Sequence, residues 1–176
     1  MNESSSEQKM NWADFLPMII TWCCIVAQII LTFVLWSSYY DLDVLVYVGY
    51  VFWVLGAIFG IVPIIQFRRK GKVAKGDSYI KTTKLVRTGL YAIVRHPQYI
   101  AAIIISIALA FMSQHWVVII LVTPTIGMTF IDTQRADKRL IEKFGEEYEN
   151  YRKEVPRMTP LYGILKLIGR KVRKEK

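Results

Sequence analysis

The longest uncharged stretch of the chain runs from Pro97 to Ile131, and it is the strongest constraint on the fold. As one straight helix it would be about 50 Å long, whereas the hydrocarbon core of a bilayer is about 30 Å thick. Ser-Gln-His at residues 113–115 divides the stretch into two shorter apolar halves. We therefore predict a short transmembrane hairpin whose second helix continues out of the lipid into polar sequence, with a kink at Pro124.

Two further apolar segments precede this hairpin, at about Pro17–Ser37 and Val44–Gln66. Each is long enough to cross a bilayer as a helix. Glycines at positions 49, 56 and 60 of the second segment permit close packing against another helix. With 53% hydrophobic residues, the chain is predicted to be an all-α integral membrane protein with four transmembrane helices, including the short helical hairpin.

The basic residues define the orientation. None of the 23 Lys and Arg lies inside an apolar segment: one precedes the first segment, nine lie between Arg68 and Arg95, and thirteen lie between Arg135 and Lys176. By the positive-inside rule, both termini and the basic connector are predicted to be cytoplasmic, with the two turns that lack basic residues outside. Because topology accounts for the charge of +9, nucleic acid is not a predicted partner.

The sequence after Ile131 changes to a helical pattern. Asp137 begins a stripe at spacings of four and three, and it is the only carboxylate on that face; the other members are Ile141, Phe144, Tyr148, Tyr151 and Val155. Gly145 is predicted to mark a bend. An irregular segment, VPRMTP, follows. Residues 161–176 then form a predicted basic amphipathic helix on an anionic membrane surface.

Few residues are available for chemistry. The chain has no glycine-rich phosphate loop, and its two adjacent cysteines and two histidines predict no metal site. Polar side chains instead occur at both cytoplasmic ends of the hairpin. Those before it are Tyr91, Arg95, His96 and Tyr99, and those after it are Asp137, Tyr148, Tyr151 and Arg157.

Both polar groups leave the hairpin on the same side, so we expect them to meet around one pocket. Arginine and histidine suit a carboxylate or phosphate, and an aspartate with tyrosine faces suits a cation. A purely structural interpretation also remains open. In that interpretation Arg95 flanks a membrane helix, His96 caps it, Pro97 begins it and Asp137 is solvated.

Two motifs resemble a known family. GLYAIVRHPQYIA, followed after the hairpin by LIEKFGEEYENYRKEVPRMTP, is similar to the isoprenylcysteine carboxyl methyltransferases, and phospholipid N-methyltransferases share the pattern. The likeness covers roughly residues 84 to 161, and its matching positions are Gly89, Tyr91, Arg95, His96, Pro97, Tyr99, Phe144, Gly145, Glu147, Tyr148, Tyr151, Val155, Pro156 and Pro160. The family tends to carry adjacent glutamates where this chain has Ala136 and Asp137. Asp132, one helical turn earlier, is a candidate replacement.

The resemblance implies methyl transfer from S-adenosylmethionine to a lipid-like or prenylated acceptor at the cytoplasmic membrane face. It implies catalytic roles for Asp137 and Arg157, with Asp137 facing the ammonium or sulfonium. The implied cofactor-binding residues are Tyr91, Arg95, His96, Pro97, Tyr99, Asp137 and Tyr148. Carboxyl O-methylation is favoured because no strong base stands out. Phospholipid N-methylation, an NADPH-dependent membrane reductase and a non-catalytic membrane adaptor remain alternatives.

These inferences divide the chain into four regions. Residues 1–15 are a predicted disordered N-terminus, and residues 16–66 hold the first two transmembrane helices. Residues 67–160 form the predicted catalytic core, which consists of the basic connector, the hairpin and an amphipathic cytoplasmic helix. Residues 161–176 are the predicted membrane-surface tail.

Overall fold

The structure, a computed structural model, describes residues 15–35, 43–70 and 84–174. All regular secondary structure in these ranges is helical, as predicted: α1 (Leu16–Val34), α2 (Asp43–Lys70), a 3₁₀ turn (Gly89–Ala92), α3 (Pro97–Ser113), α4 (Trp116–Ile120), α5 (Val122–Phe144), α6 (Glu146–Glu154) and α7 (Pro160–Lys174). Nearly all of the predicted disordered N-terminus, most of the first turn and residues 71–83 of the basic connector lie outside the described residues.

Three helical stretches of the described chain are long and apolar enough to cross a membrane: α1, α2 and the α4–α5 unit from Trp116 to Phe144. α3 is also apolar, but with 17 residues it is shorter than these. On α1, apolar side chains are exposed and a polar side chain is buried, which is the reverse of a helix in a soluble protein. On α1, Trp22 and Phe33 are exposed while Gln28 is fully buried, which is the distribution expected when lipid replaces water around a helix.

Glycine allows α2 and α3 to pack closely, as predicted. A Cβ atom added to Gly49 would lie 2.5 Å from the Met112 side chain, and one added to Gly56 would lie 2.6 Å from Ile105. Any larger residue at either position would therefore force the two helices apart. This contact fixes α2 along one side of the hairpin.

α1 is joined to the hairpin by a buried amide. The Gln28 Nε2 donates to the Val118 carbonyl at 3.0 Å, and the Gln28 Oε1 accepts from the Ser106 hydroxyl at 2.8 Å. Within lipid such interhelical hydrogen bonds hold helices together because unpaired polar groups there are unfavourable.

The helix after the hairpin turn is interrupted twice. α4 ends at Ile120 and α5 begins at Val122, and Pro124, where a kink was predicted, occupies the first turn of α5. Gly145, at φ 52°, ends α5 and precedes α6. The bend predicted at Gly145 is confirmed, and it turns Tyr148 on α6 back towards α5.

Candidate functional site

The site begins with a pairing between two backbone segments. The Arg95 N–H donates to the Pro156 carbonyl at 3.0 Å, and the His96 N–H donates to the Arg157 carbonyl at 3.3 Å. The VPRMTP segment, predicted to be irregular, is irregular, and its extended residues leave these carbonyls free to accept. The pairing holds the beginning of α3 beside the segment that follows α6.

Proline sets the direction of the side chains at this point. Pro97 is the first residue of α3 and is fully buried. A residue before proline avoids helical backbone angles, and His96 is correspondingly non-helical with φ −124° and ψ 62°. Arg95 and His96 therefore point away from the helix axis and into the protein, where both are buried.

The Asp137 carboxylate on α5 accepts hydrogen bonds from four of the polar side chains that were predicted to meet. Its Oδ1 accepts from Arg95 Nη1 at 2.8 Å, from His96 Nε2 at 2.7 Å and from the Tyr148 hydroxyl. Its Oδ2 accepts from Arg157 Nε at 2.9 Å. We call these five residues the Asp137 cluster. The carboxylate is buried and has donors on both oxygens, so the solvated-residue interpretation of Asp137 is wrong.

The protonation states follow from burial. Burial lowers the pKa of His96 below its usual range, although the hydrogen bond to Asp137 opposes that shift. A neutral imidazole must then carry its proton on Nε2, because the Asp137 carboxylate can only accept. Burial and the hydrogen bond to Asp137 raise the pKa of Tyr148, so its hydroxyl remains a donor.

The cluster is positively charged. Arg95 and Arg157 supply two positive charges against one negative charge on Asp137, which leaves one net positive charge with His96 neutral. The Arg157 side chain is 32% exposed and uses only Nε on Asp137, whereas Arg95 is buried and its Nε has no hydrogen-bond partner. Such an arrangement suits an anion, a carboxylate or phosphate, that reaches the guanidinium groups.

The other predicted residues lie around this cluster in different roles. The Tyr91 ring packs edge-on against Phe67, and its backbone carbonyl accepts from the Tyr151 hydroxyl at 2.6 Å. Tyr91 therefore supports the fold beside the cluster. Tyr99 places its ring edge-on against His96, with centroids 5.5 Å apart.

Sequence reasoning placed Tyr151 on the buried stripe and among the motif positions, but it missed the contact that Tyr151 makes. Its hydroxyl ties α6 to the residues before α3, across 60 positions of sequence. The candidate replacement Asp132 is buried, as is Ala136, and it hydrogen-bonds Tyr99. The motif picked out both Tyr99 and Tyr151, but no sequence signal indicated which partner the hydroxyl of either tyrosine would reach.

A cleft of about 510 Å³ lies elsewhere, at the hairpin-turn end of α3. Its lining is apolar apart from one amide and one hydroxyl side chain and includes Leu45, Phe111, Gln114 and Val122. α3 is about 25 Å long by its residue count, so this cleft is remote from the Asp137 cluster. Among the described residues, the cleft therefore lacks charged side chains, whereas the Asp137 cluster is built from them.

Comparison with known proteins identifies the family of the chain. The profile of the phospholipid methyltransferase family matches residues 44–147. The chain is 36% identical over 80 residues to the protein-S-isoprenylcysteine O-methyltransferase of Schizosaccharomyces pombe, a stretch covering 44% of this chain and 33% of that protein. It is 42% identical over 71 residues to the methanethiol S-methyltransferase of Pseudomonas deceptionensis, covering 40% and 26% respectively. No solved structure matches.

The matched region spans a third or less of either relative's own length. Within this chain, however, the family profile covers more than half of the 176 residues, from α2 through α5 and into α6. It includes Arg95, His96 and Asp137, and the apolar helices around them are those of a membrane protein. The chain belongs to the phospholipid methyltransferase family, whose members include integral-membrane methyltransferases.

Proposed function

We propose that this protein transfers a methyl group from S-adenosylmethionine to a lipid-like or prenylated acceptor at the cytoplasmic membrane face. The observation that carries the proposal is the buried, net positive Asp137 cluster at the mouth of an apolar hairpin. A membrane helix flank needs one basic residue in water, whereas here Arg95 is held inside the protein. The two methyltransferases that the chain resembles support the same reaction class.

The cluster fits the methionyl carboxylate of the cofactor. Arg157 and Arg95 are proposed to hold that carboxylate, and Asp137 is proposed to fix the orientation of both guanidinium groups. Since Asp137 already accepts four donors, we propose that it acts on the reaction through them. His96, Pro97, Tyr99, Tyr148 and, from its supporting position, Tyr91 complete the proposed cofactor site. The bound cofactor would supply an electrophilic methyl group, and the protein would supply alignment and exclusion of water.

The protonation states favour an acceptor that is already ionised. His96 donates to Asp137, and Tyr148 keeps its proton, so neither is poised to remove a proton from an amine. A carboxylate needs no base at neutral pH, and a thiol needs only modest help. We therefore favour carboxyl O-methylation, with thiol methylation next. Phospholipid N-methylation remains a candidate because the family description names phospholipids.

We also propose four membrane crossings with both termini cytoplasmic, α3 and the α4–α5 unit forming the hairpin. Cysteine labelling of a chain without Cys23 and Cys24 tests this. Gln114 at the tip is buried, so Trp116, which is exposed, is the better site for a cysteine. Labelling at 116 from the cytoplasmic side would contradict the topology.

The tail is proposed to lie on an anionic membrane surface. α7 exposes Leu161, Leu165 and Ile168 on one face, and Lys166 and Arg170 are beside it. α7 also packs against the backbone just before α3. Gly163 faces the Ile93 backbone, and Arg170 Nη2 donates to the Ala92 carbonyl at 2.7 Å. We also propose that residues 67–160 form the catalytic core.

Transfer assays test the proposed function. Purified protein in detergent is supplied with S-adenosylmethionine carrying a labelled methyl group, and with a prenylated cysteine, a small thiol or phosphatidylethanolamine. We expect label in the prenylated cysteine and its loss in Arg157→Gln. Absence of binding to S-adenosylmethionine would contradict the proposal, and stabilisation by NADPH or by neither cofactor would favour the reductase or the adaptor.

A further inference from the structure

α3 and α5 make a second polar contact, deeper in the hairpin than the Asp137 cluster. We call the Asp137 cluster the first level and this second contact the second level. His96 meets Asp137, and three residues further along α3 the Tyr99 hydroxyl hydrogen-bonds Asp132, which lies five residues earlier on α5. α3 and α5 are antiparallel, so a later position on α3 and an earlier position on α5 both lie further from the Asp137 cluster. At a rise of about 1.5 Å per residue, the offset is ~4.5 Å along α3 and ~7.5 Å along α5.

The carboxylate at this second level has arginine neighbours that are partly exposed to solvent. Asp132 is 4% exposed, and its cationic partner Arg139 approaches Oδ1 only to 3.7 Å. The Arg139 side chain is 43% exposed, so this partner is largely in solvent. Asp137, by contrast, accepts close donors on both oxygens. Arg135, which is half-buried, is a second cation that acts on this carboxylate. A buried carboxylate whose arginine neighbours are partly in solvent is stabilised by a positive charge brought to it.

A second polar group without a partner adjoins Asp132. Thr129, three residues earlier on the same helix face, is 1% exposed, and its hydroxyl has no hydrogen-bond partner. The neighbouring hydroxyls of Thr125 and Thr133 bond instead to backbone carbonyls of their own helix. Buried hydroxyls are nearly always paired, so the Thr129 hydroxyl marks a place where a polar ligand fits.

We propose that Asp132 faces the sulfonium of S-adenosylmethionine while the Arg95 and Arg157 guanidinium groups hold its carboxylate, an inference that rests on the proposed function. The charges of the two levels match the two ends of the cofactor: the guanidinium groups of the first level suit its carboxylate, and the Asp132 carboxylate of the second suits its sulfonium. The first level carries a net positive charge that includes the buried Arg95, whereas the second has a buried carboxylate whose two arginines, Arg135 and Arg139, are partly exposed. A ligand with an anionic and a cationic end is oriented by such a pair.

The geometry assigns the sulfonium rather than the ammonium to Asp132. The ammonium is attached to the same carbon atom as the carboxylate, so it stays at the first level with the arginines. The sulfonium is several bonds further along and reaches the second level, inside the hairpin. The methyl group is then on the apolar side of the site, where the chain of a lipid-like acceptor lies.

Binding measurements separate these charges without any turnover. S-adenosylhomocysteine keeps the carboxylate, ammonium and adenosine of S-adenosylmethionine but has a neutral sulfur. Isothermal titration of both compounds to the full chain in detergent therefore isolates the contribution of the sulfonium. For Asp132→Asn we expect S-adenosylmethionine affinity to fall about tenfold or more, the value of one charge-assisted contact, and S-adenosylhomocysteine affinity to change less than about threefold.

Controls make the outcome specific. Glu142→Gln removes an exposed carboxylate from the same helix and is expected to leave both affinities unchanged. Arg139→Gln removes one of the two competing cations, at an exposed position, and we expect it to strengthen S-adenosylmethionine binding relative to S-adenosylhomocysteine. This second variant decides the matter if Asp132→Asn does not fold.

Equal losses for both compounds, or no loss for either, would overturn the role of Asp132, as would an unchanged preference in Arg139→Gln. Failure of the parent protein to bind either compound would instead overturn the proposed function. The two failures are therefore distinguishable in one set of titrations.

Discussion

Asp137→Asn is the substitution that most directly tests the structure of the cluster. Asparagine keeps the size and shape of the side chain, but it removes the charge and replaces one acceptor oxygen with a donating amide. Asp137 now accepts from four donors, two of them the guanidinium groups of Arg95 and Arg157. In the variant at least one of these groups faces a donor, and Arg95 remains buried without a counterion.

The expected cost follows from this arrangement. Breaking a buried ion pair by removing one partner destabilises a protein by about 3–5 kcal/mol. Arg157 is 32% exposed and can turn to water, so the lower end of that range, about 3 kcal/mol, is expected. For a chain of this size each kcal/mol lowers the melting temperature by about 2–4 °C, which gives a drop of about 6–12 °C.

Thermal unfolding in detergent measures this drop. In a Cys23→Ser background, the half-buried Cys24 provides a signal, because a thiol-reactive dye labels it as the helices separate. Glu142→Gln is the matched control on α5, and it is expected to stay within about 0.5 kcal/mol of the parent. If Asp137→Asn melts no earlier than this control, the cluster is not held as described. S-adenosylmethionine affinity is expected to fall as well, since both arginines lose their anchor.

Three further predictions follow from other contacts. Burial lowers the pKa of His96, so below about pH 6.5 the unfolded chain binds more protons than the folded chain does. The melting temperature should therefore be constant from pH 7 to 8 and should fall below about pH 6.5, and the fall should be less steep in His96→Gln. A methyl group on Gly163 would lie 2.0 Å from a backbone carbonyl oxygen, so Gly163→Ala should release α7 to limited proteolysis, whereas Gly169→Ala, with open space around it, should not. Gln28→Leu should cost about 1–2 kcal/mol, and its combination with Ser106→Ala should cost less than the sum, as a double-mutant cycle in thermal unfolding would show.

The sequence predicted the parts of this fold that depend on local patterns. Apolar length located the spans, and Gly145 located the bend, because each follows from one short segment. Asp137 was identified as the polar member of a buried stripe for the same reason. The pairs across the fold were not predictable in detail. Which of several donors would reach Asp137 depends on the turn at Gly145 and on backbone pairing 61 positions apart.

Two polar contacts show why such pairs escape sequence reasoning. Gln28 lies in an apolar segment and only its fully buried position and its partner Ser106 reveal its role. Arg139 lies off the apolar stripe and would be chosen as a silent position. It nevertheless approaches Asp132, because seven residues make two helical turns and a long side chain covers the remaining distance.

The pairing of Arg95 and His96 with Pro156 and Arg157 also fixes when the site can form during synthesis. The ribosome makes the whole hairpin before it makes the segment that accepts these backbone N–H groups. Until Arg157 has emerged, the nascent chain holds unpaired donors and an incompletely satisfied Asp137 at the membrane boundary. The cluster is therefore completed only after the hairpin has been made, because its last donor, Arg157, follows the hairpin in the chain.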